Sequence, residues 1–224
     1  MIPIYYFPVF VLLIAQSSPE LFGEDKNKPV EAPTNILFDS EAESARYLSV
    51  SGSWRAYEFE GEQMIRLTPE PVQQCRVELG ELLKDYHISI TAKVLGKERK
   101  RLKPRMGVGI FGEYGFTLRI AAGKNQLELV QYGEVIAASP FNWVSAQWHF
   151  IELEMELEAT FWRLSGRVWP SGSEKPATPQ LVHDVFPATL THSLYGRAFL
   201  VGSPFNGLPL FFDKVEVRNT SRNQ

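Results

Sequence analysis

The chain has 224 residues, 44% of them apolar and 22% charged, with a formal net charge of −3. That balance is globular: it excludes long disorder, collagen and a polytopic membrane protein, and leaves no basic footprint for a nucleic acid. The single cysteine, Cys75, excludes an internal disulfide and a cysteine-built zinc site, and the four histidines (His87, His149, His183, His192) are too dispersed for metal-ligand spacing.

Residues 2–15 are apolar almost throughout and carry Pro3 and Pro8. Such a run is shorter than the roughly 20 residues that span a bilayer. Followed by Ala15-Gln16-Ser17, it reads as a signal peptide over 1–17, which implies a secreted or periplasmic protein with no stable membrane span after cleavage. No Lys or Arg precedes the run, so a retained anchor and a buried N-terminal strand are the alternatives. Residues 18–34, polar and punctuated by Pro19, Pro29 and Pro33, read as a linker. The folded domain is expected over 35–219, with a tail over 220–224.

Helical periodicity is scarce. Residues 39–48 are short and polar, and 80–85 suffice for one turn. Strand signals dominate. In 86–95, Ile88, Ile90, Ala92 and Val94 alternate with His87, Ser89, Thr91 and Lys93. Further strand patterns lie at 57–60, 63–67, 105–111, 116–121, 126–132, 134–138, 148–158, 161–169, 181–186, 197–202 and 210–218. Gly112-Glu113-Tyr114-Gly115, Gly123-Lys124-Asn125 and Tyr132-Gly133-Glu134 supply turns between them. Many short strands without intervening helices specify an all-β, antiparallel sandwich.

One hairpin can be placed in register. With a turn centred on Ala159-Thr160, or a four-residue loop of the same symmetry, Leu157 faces Trp162, Met155 faces Leu164 and Ile151 faces Val168, all on the buried face. On the other face Glu156 meets Arg163, Glu152 meets Arg167 and Phe150 meets Trp169. Apolar opposite apolar and acid opposite base is the agreement a true register produces.

The run from Trp148 to Met155, then Trp162 to Pro170, the 196–202 segment and Phe211-Phe212-Asp213-Lys214-Val215-Glu216-Val217 together resemble the concanavalin A-like lectin/glucanase superfamily. More narrowly they are similar to the laminin-G-like jelly-roll domains of bacterial exported proteins. Ile36-Leu37-Phe38-Asp39 and Gly52-Ser53-Trp54-Arg55-Ala56 look like that family's opening. The resemblance covers roughly residues 36–218. It implies two curved antiparallel sheets, mostly without catalytic residues and often binding glycans; fold alone does not set function.

Candidate chemistry divides by strand face. Glu152, Glu154, Glu156 and Glu158 share one face of one strand. Alternate residues stand about 6.6 Å apart, so Glu152 and Glu156 are the candidate acid and nucleophile of a laminarinase-type glycoside hydrolase. The resemblance implies Glu-x-Asp-x-Glu there, whereas this chain has Glu at the middle position. The partners Arg163 and Arg167 favour an ion-paired, solvated strand face instead. Phe150 and Trp169, with Trp148 beside them, are candidates for a sugar-stacking platform, and Arg163 and Arg167 complete that candidate ligand face. Trp162 belongs to the core; Trp54 and Trp143 are undecided.

Asp39 and Asp213 occupy Phe-Asp pairs near opposite ends of the domain, where first and last strands pair. They are candidates for a structural calcium site, against a plain strand-end hydrogen bond. No other cofactor is expected. Lys97-Glu98-Arg99-Lys100-Arg101-Leu102-Lys103 holds five bases in seven residues and reads as a solvated hairpin loop, or as a contact for an anionic glycan, a lipid headgroup or nucleic acid. Gly107-Val108-Gly109 is no nucleotide loop, since no helix follows. The expected function is an exported, non-catalytic module whose partner is a polysaccharide or glycan and not a nucleic acid. A glycoside hydrolase and a structural module bound to another envelope protein are the alternatives.

Overall fold

The computed structural model describes residues 34–35, 48–59, 62–68, 74–83, 86–190, 192–204 and 206–219. The expected signal peptide, nearly all of the linker, Asp39 and the tail lie outside the described residues. In chain order the strands are β1 (Thr34–Asn35), β2 (Leu48–Ser51), β3 (Ser53–Phe59), β4 (Glu62–Thr68), β5 (Cys75–Leu82), β6 (Ile88–Leu95), β7 (Arg105–Ile110), β8 (Phe116–Ala121), β9 (Gln126–Gln131), β10 (Glu134–Pro140), β11 (His149–Leu157), β12 (Trp162–Pro170), β13 (Leu181–Val185), β14 (Arg197–Ser203) and β15 (Leu210–Asn219).

They form two antiparallel sheets, the two layers of a jelly-roll sandwich. One runs β13-β12-β11-β6-β15-β4-β3, with β1 paired to β15; the other runs β10-β9-β8-β7-β14-β5-β2. First and last strands meet as expected, Thr34 opposite Val217 and Asn35 opposite Glu216.

Period-two alternation builds the core. In β6, Ile88, Ile90, Ala92 and Val94 are buried, and in β11 Ile151, Leu153 and Met155 are fully so. From the other sheet come Val77 and Leu79 of β5, Met106, Val108 and Ile110 of β7, Leu118 and Ile120 of β8, and Leu127 and Leu129 of β9, all in the same cluster. Each such side chain contributes about 1.5–3 kcal/mol by leaving water. Trp162 and Trp143 belong to this core, and Trp54 packs against it half-buried.

The β11–β12 hairpin has the expected register throughout, from His149 opposite Pro170 to Leu157 opposite Trp162. Its turn closes over Ala159-Thr160, with the Glu158 N–H donating to the Phe161 carbonyl at 2.9 Å. Two details differ from expectation. Leu157 is 44% exposed, because it stands beyond the inner-face row at the end of its strand. And no helical turn starts at Gly80: Gly80 to Leu82 complete β5, whose Cys75, Val77 and Leu79 point inward while Arg76 and Glu78 point outward.

The basic run 97–103 is a hairpin loop, as expected. Arg99 and Leu102 exchange both backbone hydrogen bonds, at 3.1 and 3.0 Å, around Lys100-Arg101. The Asn206 amide holds it from outside by donating to the Lys97 and Leu102 carbonyls. Lys100 and Arg101 have φ of 52° and 65°, the left-handed pair that a two-residue hairpin turn requires and that side chains with a Cβ resist. Replacing both by Asn-Gly relieves that strain, less the extra chain entropy glycine brings to the unfolded state. The double variant is expected to gain about 1 kcal/mol and about 2–4 °C in Tm. Thermal denaturation checks this, and an unchanged or lowered Tm refutes it.

Candidate functional site

The eight-stranded sheet carries the residues that sequence reasoning singled out, and register sorts them into rows. Trp169, Phe150, Lys93 and Asp213 stand side by side on β12, β11, β6 and β15; the next row is Arg167, Glu152, Thr91 and Glu216. Phe150 and Trp169 stack at 5.3 Å between ring centroids with 18° between planes. Lys93 Nζ lies 4.6 Å above the Trp148 ring. Of the three candidate platform rings, Phe150 and Trp169 pack on each other and Trp148 lies under Lys93. Trp169 keeps only 8% of its surface exposed.

The acidic ladder is ion-paired, as expected, most tightly at Glu152 and Glu154. Arg167 Nη1 donates to Glu152 Oε1 and to Glu154 Oε2, both at 2.9 Å. Lys175 Nζ donates to Glu152 Oε2 at 2.8 Å, and Thr91 Oγ1 reaches the same oxygen at 3.3 Å. Glu152 is consequently buried, where a solvated face was expected. Lys175 comes from the 171–180 connection, which is tied down where Gln180 brackets the Val168 backbone with hydrogen bonds at 2.9 and 2.5 Å. Glu156 does stand opposite Arg163, yet the guanidinium turns to the other neighbour: Nε and Nη2 donate to the two Asp184 oxygens at 3.0 and 3.2 Å. Those bonds, then the Asp184 charge, with smaller contributions from Glu158 and Glu156, hold the Arg163 pKa above its ordinary value. Glu152, the candidate catalytic carboxylate, has both oxygens engaged and no open approach for a scissile bond.

Asp213 is buried. Its Oδ2 accepts from Lys93 at 2.9 Å and its Oδ1 from the Lys214 N–H at 2.7 Å. Asp39, the other residue of the calcium expectation, lies outside the described residues. Among the described residues no group of three or more His, Cys, Asp or Glu side chains has the geometry to hold a metal ion.

The other sheet carries a groove of about 340 Å³, large enough for a small ligand. With Val77, Met106, Val108, Leu118 and Leu200 pointing inward, the outward set follows by alternation. One row reads Arg76, Val201, Gly107, Arg119 and Glu128 across β5, β14, β7, β8 and β9. Beside it run Glu78, Phe199, Gly109, Thr117 and Val130 on one side, and Ser203 and Arg105 on the other. Glycine on β7 lets neighbouring groups close over that strand. A Cβ on Gly109 would sit 2.1 Å from the Phe199 ring, and one on Gly107 would sit 2.2 Å from the Leu118 carbonyl oxygen.

Two tight turns raise the rim. Tyr132-Gly133 closes β9 onto β10 with φ of 50° and 81°, which leaves Tyr132 39% exposed beside the groove. The 112–115 turn holds Tyr114 41% exposed, and it needs Gly115, whose Cβ would meet the Ile110 carbonyl oxygen at 1.8 Å. Tyr114 stacks on His192 at 4.4 Å and 9°, and the Tyr132 ring completes the cluster 5.9 Å from Tyr114.

Charge lies on the floor. The Arg76 guanidinium covers the Phe199 ring at 4.0 Å and donates to Glu78 at 3.2 Å. Burial lowers the Arg76 pKa, with Glu78 and Glu113 opposing. Glu128 is wholly buried, accepting from Arg119 Nε at 2.7 Å and from Lys124 Nζ at 2.8 Å. Burial works against its charge, but those two hydrogen bonds and charges outweigh it and hold the carboxyl below its ordinary value of 4.5.

Sequence reasoning read 112–115 and 132–134 as turns and passed over their tyrosines. It also passed over Arg76, Arg105, Arg119 and His192. The available signal was Arg105-x-Gly107-x-Gly109: glycine at alternate positions of a strand marks a face to which something else comes close.

No family model matches the chain, and no curated protein matches it. Solved structures do. A protein of unknown function with a galectin-like fold from Bacillus subtilis matches at TM-score 0.61 and 11% identity, over 86% of this chain and 98% of that one. Peanut lectin matches at 0.58 and 12%, over 83% and 95%. The carbohydrate binding module CBM66 from Bacillus subtilis matches at 0.53 and 12%, over 77% and 95%. These likenesses show the fold, the concanavalin A-like jelly roll expected from sequence.

Because the folded-state pKa of Glu128 lies below its unfolded value, its contribution to stability is complete above pH 4.5 and is lost as pH falls through the folded pKa. Glu128→Gln is expected to cost about 2 kcal/mol at pH 7, since Arg119 and Lys124 lose their counter-charge. The gap should narrow below pH 4.5. Urea unfolding between pH 3 and pH 7 measures it; a gap independent of pH refutes the assignment.

Proposed function

We propose that this protein is an exported carbohydrate-binding module whose ligand lies in the groove of the seven-stranded sheet, and that it binds without cleaving. The observation that carries the reading is the groove itself: two half-exposed tyrosines at the rim beside a lining that includes Thr117, Ser203 and three arginines. Pyranose rings present C–H faces that pack on aromatic rings and hydroxyls that need fixed donors and acceptors, and this groove offers both. The neighbours described as a carbohydrate binding module and as lectins support the same reading. The platform around Phe150 and Trp169 is the lesser candidate, since its rings are spent on each other. Binding without hydrolysis is supported by the engagement of Glu152 with Arg167, Lys175 and Thr91. Export rests on the apolar 2–15 run and the small residues after it, and no helix of the described residues is long and apolar enough to cross a membrane.

Glycan-array binding followed by calorimetry tests the reading. Tyr114→Ala and Tyr132→Ala are each expected to weaken binding about tenfold or more while leaving the Tm within a few degrees. No reducing ends should appear on prolonged incubation with the bound glycan. Binding that survives both substitutions but is lost in Phe150→Ala would move the site to the other sheet. Hydrolysis abolished by Glu152→Gln would make the protein an enzyme.

A further inference from the structure

We propose that the groove selects an acidic glycan, and that Arg76, Arg105 and Arg119 receive its carboxylate or sulfate; the inference rests on the carbohydrate reading just given. The charge of the lining is lopsided. It holds those three arginines against one acid, Glu113, in a chain whose net charge is −3.

Register places the three cations around one floor. Arg76 and Arg119 share a row with Val201 and Gly107 between them, three strand spacings or about 14 Å apart. Arg105 stands two residues from Gly107 on the same face of β7. Arg76 and Arg119 thus stand on either side of Val201 and Gly107, and Arg105 flanks them on the neighbouring row.

The hydrogen bonds of Arg76 and Arg119 leave donors to spare. A guanidinium has five N–H donors in a planar fork suited to carboxylates and sulfates. Arg119 gives Nε and Nη2 to Glu128. Arg76 gives Nη2 to Glu78, while its Nε is buried with no hydrogen-bond partner. Burial already works against the Arg76 charge, and a bound anion would offset that cost, which a sugar hydroxyl would do only weakly. A neutral glycan gives no such role to three arginines on one floor.

Matched pairs make the test: polygalacturonate against its methyl ester for the carboxylate, dextran sulfate against dextran for the sulfate, alongside an array holding acidic and neutral glycans. Calorimetry is run at 50 and 300 mM NaCl. The acidic member of at least one pair, or acidic array members as a class, should bind at least tenfold tighter than neutral counterparts, and which pair responds identifies the group. That preference should shrink severalfold at the higher salt and about tenfold in Arg105→Gln, whereas Tyr114→Ala weakens acidic and neutral ligands alike. The salt response needs no variant, so a poorly folding Arg105→Gln leaves the test intact. Equal, Tyr114-dependent binding of neutral and acidic glycans overturns this inference and keeps the carbohydrate reading. Binding to no glycan overturns both. A polyanion preference unchanged in Arg105→Gln but lost in the Lys100-Arg101 to Asn-Gly variant assigns it to the basic hairpin and overturns the inference.

Discussion

A strand shows its side chains to two sides in strict alternation, and when two sheets close on one core, half of every strand is committed before function enters. Ile151, Leu153 and Met155 must point inward for β11 to contribute to the core, so Phe150, Glu152, Glu154 and Glu156 are forced outward. The same rule on the other sheet sends Val108 and Ile110 in and Arg105, Gly107 and Gly109 out. The two outer faces are therefore what remains after the core is satisfied, and their chemistry is free to differ.

Both outer faces bury carboxylates, and each is handled in the same way. Glu128 has Arg119 and Lys124, Glu152 has Arg167 and Lys175, and Asp213 has Lys93 and a backbone N–H. A buried carboxylate with one oxygen unmet would be costly, so every one of these has both oxygens engaged. The consequence differs by place. At Glu152 the second cation arrives on a connecting segment and the ladder is closed over. At Glu128 the pair lies at the margin of the groove, where it holds the Arg119 Nε edge in place.

What was legible in sequence was whatever local alternation encodes. The β11–β12 register could be written down residue by residue because apolar met apolar and acid met base along the whole hairpin. β5 was passed over although Cys75-Arg76-Val77-Glu78-Leu79 alternates, because Gly80 and the leucines after it weakened the pattern at its end; with it went Arg76. The pairing of Lys175 with Glu152 spans 23 residues through a stretch rich in Ser, Gly and Pro, whose composition says that the chain turns but not where it returns. The groove was least legible of all. Its members come from five strands and two turns, and no single segment among them has a chemical signature.

The contrast between the two faces explains why the aromatic-rich one is the poorer site. Stacking on a sugar requires a ring with one face supported and the other open. Trp169 and Phe150 support each other, and Lys93 occupies the face of Trp148, so their aromatic surface is consumed in holding the sheet's exterior together. Tyr114 and Tyr132 are fewer and smaller, but tight turns lift them off the sheet, with Gly115 and Gly133 absorbing the backbone demands of that geometry. His192 supports Tyr114 from one side. Gly109 makes room for the Phe199 ring, which Arg76 covers. In this sandwich what separates the two faces is the raising of rings at the edge on tight turns, rather than the number of aromatics on a face.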